Sequence, residues 1–225
     1  MFTPKATEVL LKNVRLSYVH LMEPYTGVNQ SKPKYSTTIL LPKSDVVQKQ
    51  AIDAAIAAAI EEGRQKFGAK SVPAKPKQPV WDGDGYTQNG KEFGPEAKGH
   101  WSFTAWQDAK YKVEVVDMSG NPITDHTQVY SGMYANVLVN FYYYDNQSQG
   151  VGCSLGPVQK VRDGESLGGA PISAASVFGF LYISGQIAIN PENQKIEAVT
   201  VEDQAKQVLE NIKAILENNG LTTQN

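Results

Sequence analysis

Cysteine is almost absent: Cys153 is the single one in 225 residues. No intramolecular disulfide can form, and no cysteine-based metal framework is available. Histidine is scarce as well. His20, His100 and His126 lie in three separate neighbourhoods, and no serine or cysteine sits in a nucleophile motif beside them. Phosphate-cradling P-loops and dinucleotide fingerprints are missing. There is no apolar run of membrane length, and mean hydropathy is −0.36. The opening stretch MFTPKATEVLLKNVRL lacks the basic, apolar and small-residue order of a secretory leader. These absences point away from metal, cofactor, hydrolytic and membrane chemistry and towards a cytoplasmic protein with no catalytic residues. An excess of basic charge is also lacking. Net charge is −2 and the pI is about 5.9, so any nucleic-acid contact must use a local patch.

What is present is strand-like. Val137, Val139, Phe141 and Tyr143 alternate with Asn136, Leu138, Asn140, Tyr142 and Tyr144. That period of two predicts a core row and an outer Tyr/Asn row. A turn over Asp145–Gly150 leads to a return strand over Val151–Val158. Lys160 to Gly164 reads as a charged exit loop. The spread of Gly132, Gly150, Gly152 and Gly156 suggests the bends of a small curved sheet or barrel.

Upstream, Glu8–Leu21 reads as two short strand pieces, with Val14, Leu16 and Tyr18 on one face. Tyr35–Leu41 is a further strand. Ser44 is placed to cap a helix over about Asp45–Lys66, whose stripe includes Val47, Ile52, Ile56, Ala59, Ile60 and Phe67. Gly68 suits its end. Ser71–Glu96 is a long Pro-, Gly- and Asp-rich excursion, and loops of that length are usually functional or mobile. Within it, Asp82-Gly83-Asp84-Gly85 fails as a calcium loop. Tyr86 stands where the third oxygen ligand belongs, and no Glu closes the loop. It reads as a turn. Gly99–Gln107 and Lys110–Asp117 are read as a hairpin across Asp108-Ala109. The expected fold is mainly β with one packed helix.

Aromatic and basic residues interleave on these strands. Trp106, Lys110, Tyr111, Lys112, Tyr142, Tyr144, Lys160 and Arg162 are the candidate nucleic-acid-binding residues. Single strands are held by a positive groove with aromatic platforms, since every base has a π-face and the backbone is anionic. The other reading open at this point is that these tyrosines simply cover a half-buried sheet.

VRLSYVHLMEPY (14–25), KYSTTILLPKSD (34–45), VYSGMYANVLVNFYYYDN (129–146) and GVGCSLGPVQKVRDGESLGG (150–169) resemble a bacteriophage family similar to replication single-stranded DNA-binding proteins. The resemblance spans about residues 8–169. It implies an oligonucleotide-binding (OB) β-barrel over residues 1–167. It also implies a phage protein that coats unwound DNA in replication and recombination inside an infected or lysogenic bacterium, with replication or recombination proteins as partners. The expected ligand is single-stranded DNA and no cofactor is implied; self-association is left open.

From Phe180 the character changes. Three basic residues face six acidic ones, leaving a net +1 upstream. FLYISGQIAINPENQKIEAVTVEDQAKQVLENIKAILENNGL (180–221) resembles the start of the reactive intermediate deaminase (Rid/YjgF) family. It suggests a strand from Leu181 to Ile187 and a helix capped by Thr200 with Asp203. The expected helix stripe is Val201, Ala205, Val208, Leu209, Ile212 and Leu216, with Gly220 at its end. The arginine that holds substrate in that family has no counterpart in the matched segment, so imine or enamine deamination is the less favoured alternative. A phage structural or adaptor role is another. Residues 168–179 form the junction and 180–225 the partial Rid-like extension.

Overall fold

The computed structural model describes residues 3–27, 32–87, 89–146, 148–168, 185–191, 193 and 195–218. The chain divides into two compact units, Met1–Gly169 and Ala170–Asn225.

The first unit is built on β1 (Glu8–Tyr25), β2 (Lys34–Pro42), β3 (Trp81–Asp82), β4 (His100–Asp108), β5 (Val115–Val116), β6 (Tyr134–Asp145) and β7 (Gln149–Arg162). In space they run β3-β4-β2-β1-β6-β7-β5. A parallel pairing of Trp106 with Ser154 joins β4 back to β7. Strands β1, β2, β4, β7 and β6 therefore close into a five-stranded OB-like barrel, which leaves no long open edge among them. Its interior is filled by the inward rows, including Leu11, Val14, Leu16, Ile39, Phe103, Phe141 and Leu155.

β6 shows the alternation its sequence demands: Ala135, Val137, Val139, Phe141 and Tyr143 are buried, and the residues between them are half-buried. β1 is one long strand, not two pieces. It is bent at Asn13 and Tyr18, both at positive φ (50° and 48°), with register shifts beside each. Such bulges turn side chains over. Tyr18 is thereby 66% exposed instead of sharing the inward row of Val14 and Leu16.

The expected hairpin over residues 99–117 does not form. β4 pairs along its full length with β2, from Lys34 opposite Asp108 to Pro42 opposite His100. After Asp108 the chain turns. The Asp108 carboxylate accepts the Lys110 N–H at 2.9 Å and its carbonyl accepts that of Tyr111 at 2.9 Å. This side-chain-mediated turn ends the strand. Lys110, Tyr111 and Lys112 thus lie in a loop, and Tyr111 is exposed while Val113 and Val115 are buried. Only Val115–Val116 regains strand form, parallel to β7. β7 in turn runs beyond Val158, so Lys160 and Arg162 are strand residues opposite Ala135 and Tyr134, not an exit loop.

α1 (Val46–Phe67) is capped by Asp45, whose carboxylate accepts the Gln48 N–H at 3.1 Å; Ser44 lies one residue too early. Ile52, Ala55, Ile56 and Ala59 face the barrel, whereas Val47 is exposed. Gly63 lets the helix lie directly on the Tyr143 ring, where any Cβ would collide. The Tyr143 hydroxyl donates to the Ser71 carbonyl at 3.2 Å, tying the helix exit to the β6–β7 hairpin.

Surface carboxylates make the loops acid-sensitive. Asp82 and Asp84 are held below the usual aspartate range, first by the Lys43 ammonium. Asp117 is held down first by the Asn121 N–H, Asp125 by the Thr127 hydroxyl and Asp163 by the Lys160 ammonium. Because these folded values lie below the unfolded ones, their stabilisation is complete above about pH 3.9. It is lost as pH falls through the depressed folded values. Urea midpoints measured between pH 5 and 2 should therefore decline, and Asp117→Asn should flatten part of that decline.

In the second unit, α2 (Val201–Asn218) begins with the expected capping pair. The Asp203 N–H donates to Thr200 Oγ1 at 3.1 Å, and the Thr200 hydroxyl donates to the Asp203 carboxylate at 2.7 Å. Val208, Ile212, Ile215 and Leu216 are half-buried, while Val201 and Leu209 stay exposed. The Asn211 amide donates to the Ile189 carbonyl at 2.9 Å, placing the helix against residues 187–189. Of the expected Leu181–Ile187 strand, residues 181–184 lie outside the described residues, as does Gly220. Residues 185–187 of it are not in strand form, and further on an isolated bridge pairs Asn190 with Lys195.

Candidate nucleic-acid interface

The outward face of β1, β2 and β4 carries small polar side chains: Ser17, Thr38, Ser102 and Thr104. The Thr38 and Thr104 hydroxyls meet at 3.0 Å across the sheet. Small side chains leave a channel floor instead of a packed surface. Trp106 from β4 and Tyr142 and Tyr144 from β6 line it, and Trp81 and Phe93 of the long excursion form a wall of it. Together with Tyr18 they enclose a groove of about 1160 Å³. A second pocket of about 300 Å³ continues past Trp81 and Tyr144 to Lys77.

The aromatic cluster is geometrically specific. Trp106 and Tyr142 meet edge to face, centroids 6.5 Å apart and planes at 78°. Glycine at 152 permits this, because a Cβ there would stand 2.6 Å from the Tyr142 ring. Burial pushes the Tyr142 phenol above its ordinary value, so it stays neutral and able to donate. The Lys34 ammonium lies 3.7 Å from the centre of the Trp106 ring, near enough for a cation–π contact. Cys153 also lines the groove, but burial pushes its thiol well up and leaves it inert. Lys91, Glu92 and Glu96 give the wall mixed charge.

Of the residues expected from sequence, Trp106, Tyr142 and Tyr144 come together in this groove. Lys110, Tyr111 and Lys112 follow the end of β4, in the turn just beyond Trp106. Lys160 and Arg162 are not brought to it. They sit eight and ten residues along β7 from Gly152, roughly 27 Å or more of strand. Lys160 is paired with Asp163 at 2.7 Å, and Arg162 lies 3.4 Å over Tyr134. The sequence pattern does not single out Tyr18, Trp81 and Phe93, which also line the groove, or Lys34, which lies on the Trp106 ring. Tyr18 was hidden by its bulge. Trp81 and Phe93 lie in the long excursion, whose length was the one available signal.

The histidines have separate surroundings. His20 stacks on Tyr25, His100 Nδ1 is 2.7 Å from the Lys98 carbonyl, and His126 lies 3.9 Å from Glu23. Among the described residues no group of three or more potential metal ligands is gathered. No described helix is long and apolar enough to cross a membrane.

Comparison with known proteins bears on the fold and the family. The family described as Enterobacter phage Enc34, ssDNA-binding protein, matches residues 7–192. Protein p50 of Acyrthosiphon pisum secondary endosymbiont phage 1 is 33% identical over 180 residues, covering 76% of this chain and 92% of p50. The single-stranded DNA-binding protein of bacteriophage Enc34, solved in complex with ssDNA, superposes with a TM-score of 0.63 at 27% identity. That match covers 73% of this chain and 91% of the phage protein. The segment 171–225 matches the family described as Endoribonuclease L-PSP. A RutC family protein of Pyrococcus horikoshii is 54% identical over 48 residues, which span 38% of that protein.

Proposed function

Given that the chain belongs to the Enterobacter phage Enc34 ssDNA-binding protein family, we propose that it binds single-stranded DNA in the groove of its barrel, without catalysis, during phage replication or recombination in the host cytoplasm. The observation that carries this reading is the groove itself, with Tyr18, Trp81, Trp106, Tyr142 and Tyr144 along it and Lys34 on the Trp106 ring. Tyr142 and Tyr144 project from the same face of one strand, about 6.8 Å apart. That is about twice the 3.4 Å rise per nucleotide on one strand of a duplex, so it suits an extended, unstacked strand. Stacking on such rings tolerates any sequence. Residues 1–167 form the binding domain in this reading, 168–179 the junction and 180–225 the Rid-like extension. The extension matches well under half of the RutC relative, so deamination is not part of the proposal.

Titration of the full chain with single- and double-stranded oligonucleotides tests it, followed by the emission of Trp81, Trp101 and Trp106. Saturable change with single strands and a weaker response to duplex are expected. Duplex preference, or no response to single strands, overturns the reading.

Lys34, Lys110 and Lys112 form the proposed phosphate track, since Lys34 pairs in register with Asp108 and the other two follow it in the turn. Lys160 and Arg162 are left out of it. Each neutralised phosphate contributes roughly 0.7 to the salt slope on a single strand. Lys34→Ala should lower the slope by about that amount, and Lys110→Ala with Lys112→Ala by up to twice as much. A slope unchanged by either replacement removes those lysines from the track.

A further inference from the structure

One wall of the groove is pinned at few points, one of them a bridge from Lys77 to Gly150. β3 has two residues, Trp81 opposite Ser102 and Asp82 opposite Trp101, at the sheet edge. Two ladder pairs are not enough to fix a strand. They belong to an excursion of more than twenty-five residues, between the helical turn at Ala69–Ser71 and the start of β4 at His100. Trp81 nevertheless lines both pockets.

An ionic clasp sits directly beneath. Lys43 follows the last residue of β2, and its backbone N–H is fixed to the Gly99 carbonyl at 2.9 Å. Its ammonium meets Asp82 at 2.5 Å and Asp84 at 2.6 Å. The second Asp84 oxygen accepts the Gly99 N–H at 2.9 Å, and Asp82 accepts the Asp84 N–H at 2.8 Å. Gly83, between the two aspartates, donates to the His100 carbonyl at 2.9 Å. A side chain at 83 would collide with the Ala97 carbonyl. The Trp101 ring backs this arrangement, with Lys43 at 5.2 Å and Lys49 at 4.6 Å from its centre, and Lys49 is itself paired to Asp53 at 2.7 Å. Failed as a calcium loop, the Asp-Gly-Asp-Gly turn thus has an internal cation.

We infer that Lys43 is a positioning residue for single-stranded DNA binding: with Asp82 and Asp84 it clasps the turn at residues 81–84 to the end of β2 and so sets Trp81 in the wall of the groove. This rests on the groove being the DNA site. Lys43, Asp82 and Asp84 do not line the groove themselves and act through the wall they hold, Trp81 first. When it opens, the fraction of molecules with a complete wall falls, and apparent affinity falls by the same factor.

The sign of one substitution separates this from a bare charge effect. Asp82→Asn with Asp84→Asn removes two negative charges near an anionic ligand. By electrostatics alone such a variant binds DNA more tightly. The clasp requires it to bind more weakly, by roughly threefold to tenfold. Lys43→Met should weaken binding similarly, and Lys43→Arg, which keeps the charge and hydrogen bonds, should restore most of it. Amide exchange at Gly83 and Gly85 should rise in the weakened variants, with exchange in β1 and β6 unchanged. Wild-type protein that binds single strands while the double Asn variant binds equally or more tightly overturns the clasp and leaves the groove standing. Wild-type protein that does not bind at all overturns the groove itself.

Discussion

Trp106→Ala is expected to weaken single-stranded DNA binding by about 1–3 kcal/mol, the usual worth of a base stacked on an aromatic ring. That is roughly fivefold to 150-fold in affinity. Trp106 is the junction of the cluster. Its ring meets that of Tyr142 edge to face and carries the Lys34 ammonium. Removing it therefore loses one platform and loosens two neighbours. Tyr142→Ala should cost a similar amount, again about 1–3 kcal/mol. The double replacement should cost less than the sum, because residues in contact do not act independently. Both side chains are only half-buried on the outer face, so the barrel should remain folded. Fluorescence titration read at Trp81, with circular dichroism as the check on fold, measures all three variants. Strict additivity would mean that the two rings hold separate bases without supporting each other. Full affinity in both single variants would place the DNA elsewhere.

Phe141→Ala carries the other large effect, and it acts on stability. Phe141 is fully buried in β6, one residue before Tyr142, and its ring lies 6.0 Å from that of Phe103 on β4. These strands are on different sides of the closed barrel, each joined to β7, so the pair bridges the interior. Truncating a buried Phe removes its burial and leaves a cavity, at about 3–5 kcal/mol. A domain's whole margin is about 5–15 kcal/mol. The variant should unfold at clearly lower urea concentration, read as a midpoint shift at constant slope. Neighbouring replacements thus separate cleanly. Loss at 141 appears in stability, whereas loss at 142 appears in binding. A stable Phe141→Ala with weak binding would show that the two faces of β6 are exchanged, since a one-residue slip inverts every side chain.

Much of this was legible in order. The strict alternation from Val137 to Tyr144 determined which residues of β6 face the core, because a pleated strand has a period of two and one face must be dry. The spacing of Ile52, Ile56 and Ala59 determined α1 for the corresponding reason at a period of 3.6. Thr200 with Asp203 marked the start of α2 through a contact only three residues long. Each of these is a local rule, satisfied by neighbours along the chain.

What the tertiary structure alone decided was partnership. Residues 100–108 and 110–117 look like a hairpin, yet β4 takes β2 as its partner. Nine paired residues across the barrel outweigh a short local return, and the carboxylate of Asp108 turns the chain aside. The groove follows from the same non-local choices. Pairing of β4 with β2 places Thr38 beside Thr104, and closure at Trp106 and Ser154 brings Trp106 to Tyr142. The bulge at Tyr18 moves that ring to the outside. Lys43, thirty-nine residues from Asp82 in sequence, meets it because β2 ends where the long excursion turns back. Local sequence sets the face a side chain takes; closure of the barrel sets which faces meet, because that depends on strands far apart in the chain.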